Sequence, residues 1–111
     1  MQDRASRRAA SRAYKAQEDI GGIFRIAHQP SGWQTPLLWT PNLEGERNKL
    51  QFAKRVDAPV RMELQAIWGK VDRSGFELIE LEQLKRKPDQ TAEEFREDLK
   101  ALLDLWKERE A

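Results

Sequence analysis

The sequence predicts a mainly α fold: a small bundle of three to four helices with an extended strap containing Pro and Trp, preceded by a flexible basic arm. Three observations lead there. Apolar residues recur at helical spacing through the second half, Pro and Gly interrupt residues 20 to 41, and residues 1 to 16 hold five basic groups against one acid with no large aliphatic side chain. A chain of 111 residues suits one core and not two. The expected division is a basic arm over 1–19, a strap with room for a short strand over 20–41, and a helical body over 42–111.

In the arm, Arg4, Arg7, Arg8, Arg12 and Lys15 alternate with Ala and Ser. Written as a helix, Arg4, Arg8, Arg12 and Lys15 share one face, so neutralising their charge favours helix, whereas so short a helix without packing is marginal in water. Gly21-Gly22 reads as a hinge. Ile23 to Ile26 is a strand candidate, Pro30-Ser31-Gly32 a turn, and Pro36 and Pro41 exclude regular helix. The strap nonetheless carries Trp33, Leu37, Leu38 and Trp39, too much apolar surface to leave solvated.

The body opens at Asn42, an N-cap with Glu44 and Glu46 in the first turn. Leu43, Leu50, Phe52, Ala53 and Val56 supply the apolar content of this helix. Asp57 is expected to cap a second helix with Pro59 in its first turn and a stripe of Val60, Leu64, Ile67, Trp68 and Val71. Asp72-Arg73-Ser74-Gly75 reads as a turn. Phe76 to Lys87 is apolar over a wide arc and admits a strand over its first half; helix is favoured because Glu, Gln and Lys are good helix formers, with Lys85-Arg86-Lys87 at the C-terminal end of the dipole. Thr91-Ala92-Glu93-Glu94 is a capping box opening a last helix with a stripe of Phe95, Leu99, Leu102, Leu103 and Trp106.

Catalysis finds little footing. The chain has no cysteine and one histidine, which removes disulfides, thiol nucleophiles and thiolate zinc sites. His28 lacks a partner at metal or base spacing and reads as a loop histidine that is solvated or caps a turn; no catalytic residue, metal ligand or cofactor is expected. Gly21-Gly22 lacks the glycines and lysine of a phosphate-binding loop. A carboxylate enzyme would need residues such as Glu63, Asp72, Glu77, Glu80 and Glu82 to converge in a cleft. A helix-turn-helix across Val60 to Lys87 would show acids to DNA, so that pair reads as a helical hairpin. No segment is long and apolar enough to span a bilayer or direct secretion, which points to the cytoplasm.

What remains is binding. Arg4, Arg7, Arg8, Arg12 and Lys15 are candidate phosphate contacts, and Trp33, Leu37, Leu38 and Trp39 are candidate partner contacts, since aromatic anchors beside Pro are common at interfaces. Arg7-Arg8-Ala9-Ala10-Ser11-Arg12 followed by Glu18-Asp19-Ile20-Gly21 resembles the leader of some phage and mobile-element DNA-processing accessory proteins. The resemblance implies an accessory protein working near DNA and identifies no catalytic residue. The expected function is a non-enzymatic accessory or adaptor protein, its helical body binding a protein and its arm contacting nucleic acid. The alternative is an assembly protein forming a homo-oligomer through the strap and the stripe of Phe95, Leu99, Leu103 and Trp106.

Overall fold

The run Ile20 to His28 carries apolar residues at successive positions, not alternate ones, as a strand covered on both faces does. In the computed structural model, which describes residues 20–110, this run is β1 (Ile20–His28), the central strand. Along one edge it pairs antiparallel with β4 (Phe76–Lys85) over its whole length. Along the other edge it pairs with β2 (Trp33–Gln34) and β3 (Leu38–Thr40), two parts of one return strand broken around Pro36. At the break, Thr35 N–H donates to Ile26 O at 2.9 Å, while Ile26 N–H donates to Thr35 Oγ1 at 3.0 Å, so a side chain stands in for the ladder. The reversal at Gln29 to Gly32 closes with Gly32 N–H on His28 O at 2.9 Å, and Gly32 takes a positive φ of 77°.

The expected strap is therefore the middle of a sheet. Gly21 and Gly22 are not a hinge but the places where β1 is approached most closely. A Cβ on Gly22 would collide with the carbonyl oxygen of Glu82 and touch Leu43, and one on Gly21 would collide with Thr40 O and press on Phe95.

The largest departure from expectation is at Phe76 to Lys87, predicted helical and found as β4. Ile23 pairs with Glu82 and Phe24 with Glu80, which leaves Leu81 as an extra residue in a β-bulge. Alternation puts Phe76 and Leu78 in one core and Leu81 in the other, and the bulge then shifts the alternation by one, so Glu82 stays on the side of Leu81 and meets Trp106. A strand apolar on both sides with a mid-strand slip shows no clean period of two, and its helix-forming Glu, Gln and Lys are overridden by pairing with β1. Lys85-Arg86-Lys87 thus ends a strand, with Arg86 Nε–H donating to Gln90 O at 2.9 Å. The predicted helical hairpin does not exist.

Three helices cover the sheet. α1 (Leu43–Val56) starts as expected: Asn42 Oδ1 accepts from Gly45 N–H at 2.9 Å. It ends at Asp57, whose left-handed conformation (φ 56°) returns its N–H to Ala53 O, so Asp57 closes this helix and does not open the next. α2 is short (Met62–Trp68), five residues beyond. Together they seal one face through Phe24, Ile26, Leu43, Leu50, Ala53, Leu64, Trp68 and Phe76. α3 (Ala92–Glu110) covers the other face, burying Phe95, Leu99 and Leu103 and packing with Ile23 and Leu37. Its capping box forms as predicted: Glu94 N–H donates to Thr91 Oγ1 at 3.0 Å and Thr91 N–H to Glu94 Oε1 at 2.8 Å. The fold is thus an α/β arrangement, an antiparallel sheet with helices on both faces, and not a helical bundle. None of these helices is long and apolar enough to cross a membrane.

Candidate functional site

The four strap residues proposed for a partner do not form one surface. Paired positions of a sheet alternate between faces, so Trp33 and Leu38 fall on the α1–α2 side and Leu37 and Trp39 on the α3 side. Leu37 is buried and the other three are half-buried. Trp33 packs edge-on to Phe76 with centroids 6.0 Å apart. Trp39 carries Lys100 Nζ at 5.8 Å from its ring centroid. The C-terminal stripe proposed for self-association is likewise turned inward: Phe95, Leu99 and Leu103 are buried, and half-buried Trp106 donates its indole N–H to Glu82 at 2.8 Å.

His28 is buried at the end of β1, not solvated. Its Nδ1 accepts from Ser31 N–H at 3.2 Å, which makes Nε2 the protonated nitrogen, donating to Asp72 O at 2.8 Å. The ring therefore ties the β1–β2 turn to the turn before β4, and lies edge-on to Phe76 at 5.0 Å. Trp68 stacks face to face with Phe76 at 5.2 Å and 7°. This cluster of rings is a structural centre. No group of three or more His, Cys, Asp or Glu side chains among the described residues could hold a metal.

Nor do the acids converge. Glu63 pairs with Arg61, Glu77 accepts from Gln29, Glu80 lies 3.5 Å from Arg47, and Glu82 serves Trp106. Asp72 caps its own turn, and the hydroxyl and amide of Ser74 hold its carboxyl below the ordinary range, the reverse of what an acid catalyst needs.

The outer side of the α1–α2 layer is different. Phe52, Val56 and Val60, expected in the core, are exposed, and Met62 is 81% exposed. Phe52 and Val56 are one turn apart on α1, and Val60 and Met62 follow within six residues of Val56. Buried Leu50 and Ala53 claim the inward arc of the helix, so Phe52 falls on the outward one. Arg55 lies over the Phe52 ring at 6.0 Å from its centroid. Lys54 and Lys70 have no carboxylate at ion-pair distance among the described residues, whereas Arg47, Lys49, Arg61 and Arg73 do.

Charge divides by layer. Residues 43 to 75 hold seven basic groups and five acids, net +2; α3 holds four basic groups and seven acids, net −3. The sheet therefore separates a cationic layer from an anionic one. This partition follows from the element boundaries, and the reading of Phe76 to Lys87 as helix hid it. The five cations proposed for nucleic acid, Arg4, Arg7, Arg8, Arg12 and Lys15, lie outside the described residues. Comparison of the chain with family models, with curated proteins and with solved structures finds no match.

Proposed function

We propose that this chain is a non-enzymatic accessory protein that binds nucleic acid through phosphate contacts, made by the basic segment 1–16 and by the cationic α1–α2 layer together. The observation that carries this reading is the charge partition, with Lys54, Arg55 and Lys70 of this layer bare of ion pairs among the described residues. A lysine already paired with a carboxylate gains little from a phosphate; an unpaired one gains the release of a condensed counterion. Both elements bring charge and neither brings a recognisable reading helix, so the expected binding is insensitive to base sequence.

Titration of a labelled random duplex tests this with four proteins: the full chain, the chain lacking residues 1–16, the full chain with Lys54→Glu, Arg55→Glu and Lys70→Glu, and the chain carrying both changes. The reading expects each change to weaken binding and both together to remove it. Binding that survives in all forms, or is absent from the full chain at low salt, contradicts it.

The apolar side chains Phe52, Val56, Val60 and Met62 favour a second reading, contact with an acidic protein surface on the same layer, with Lys54 and Arg55 as the complementary rim. The two readings separate by salt. Phosphate contacts weaken steeply with ionic strength, whereas an interface anchored by Phe52 and Met62 keeps most of its affinity.

A further inference from the structure

Arg25 is the one charged residue in β1, set between Phe24 and Ile26 and paired with Ile79 across the sheet. Its side chain is 15% exposed and runs beneath the last turn of α3, where Nη2 donates to both carboxylate oxygens of Glu110 at 2.9 and 3.2 Å. Its Nε–H is buried with no partner. A buried guanidinium donor left unsatisfied is costly, and native proteins retain such a group where something else completes it. Beside it opens a groove of about 480 Å³ lined by Arg25, Gln34, Pro36, Leu37, Lys107 and Glu110. The side chains of Gln34 and Lys107 have no hydrogen-bond or ion-pair partner among the described residues.

Arg25 thus holds one half-exposed carboxylate, and a second cation, Lys107, and an uncommitted side-chain amide, Gln34, line the same open groove. Glu110 is a side chain of the helix end, 45% exposed, and is released by rotation of its own bonds. We infer that this groove is a binding site for a small oxyanion, a carboxylate or a phosphate ester, whose anionic head displaces Glu110 from Arg25 and pairs with Lys107 while its remainder lies along Pro36 and Leu37. The planar fork of Arg25 matches either oxyanion. Glu110 then acts as an internal competitor that keeps the arginine paired when no ligand is bound. The site lies on the α3 face, across the sheet from the cationic layer, and does not depend on the nucleic-acid reading.

The test follows the Arg25 side-chain Nε–H and the Gln34 side-chain amide by heteronuclear NMR on the full chain, during titration with butyrate and separately with inorganic phosphate at constant ionic strength. The expected result is a saturable shift at both groups with at least one probe. Glu110→Gln should tighten binding about fivefold by removing the competitor, and Lys107→Gln should weaken it about threefold, as exposed charge pairs allow. Both substitutions are at exposed positions, so the fold is retained. Shifts that do not saturate, that fall on the α1–α2 layer instead, or that respond to neither substitution overturn the proposal. Saturation by butyrate alone, or by phosphate alone, supports it and names the head group.

Discussion

Arg73 donates to both carboxylate oxygens of Asp57, Nε at 2.6 Å and Nη2 at 2.9 Å, and Trp68 adds its indole N–H to the same carboxylate at 3.2 Å. One side chain thereby joins the end of α1, the end of α2 and the turn that leads into β4. Because Asp57 also sits in the left-handed region, its identity is constrained twice, by backbone and by charge.

The first prediction concerns Asp57. Asparagine tolerates the left-handed region and keeps an acceptor for Trp68 but loses the charge; valine loses all three. Asp57→Val should therefore lower the midpoint of urea denaturation clearly more than Asp57→Asn. Equal losses would mean that the backbone conformation does not matter there.

The same pair sets a pH dependence. The hydrogen bond from Arg73 holds the Asp57 carboxyl below its ordinary value of 3.8, and Ser74 does the same for Asp72. A carboxyl depressed in the folded state contributes stability in full above the unfolded value, and loses it as pH falls through 3.8 towards the folded value. Denaturation midpoints measured from pH 6 down should fall across that window, and Asp57→Asn should fall less steeply than the parent. A parallel decline in both proteins would remove Asp57 from the account.

Core and outer layer should respond oppositely to truncation. Phe76→Ala removes the ring that Trp68, Trp33 and His28 pack against, and should cost about 3–5 kcal/mol. Phe52→Ala and Met62→Ala remove exposed side chains and should stay within about 0.5 kcal/mol. Chemical denaturation of the three variants checks this, and a large loss at Phe52 or Met62 would mean that those side chains serve the fold and not a partner.

Gly22→Ala is expected to be among the most damaging single changes, since the added methyl meets the backbone of β4 at Glu82 and not a movable side chain. Overpacking of this kind costs about 1–3 kcal/mol or more, and circular dichroism should show loss of ordered structure at a lower temperature. Tolerance of alanine would show that β1 and β4 do not approach closely at Gly22.

The parts legible in the sequence are those in which a residue signals through its immediate neighbours. Asn42 and the Thr91–Glu94 box announce helix starts because capping is completed within three residues. β4 was hidden because its strand character depends on β1, whose paired residues lie 48 to 65 positions earlier, and because the bulge at Leu81 scrambles its period. β1 was half hidden for the complementary reason: burial on both faces replaces alternation with a continuous apolar run. The apolar residues of α1 and α2 were counted as core because a helix in a bundle buries a wide stripe, whereas against a sheet this one buries Leu43, Leu50 and Ala53 and leaves Phe52 and Val56 outside. Arg25 did carry a visible signal, a lone charge inside the run Ile23 to Ala27, but its partner Glu110 lies 85 residues away and was not legible.

The most direct test of the nucleic-acid reading is the slope of log affinity against log salt concentration for a random duplex, compared between the full chain and the chain lacking residues 1–16. Each phosphate contact contributes about 0.9 to that slope, so loss of Arg4, Arg7, Arg8, Arg12 and Lys15 should flatten it by about 4.5 while a shallower slope from the α1–α2 layer remains. Identical slopes in the two proteins, or no measurable binding by the full chain at low salt, would contradict the account.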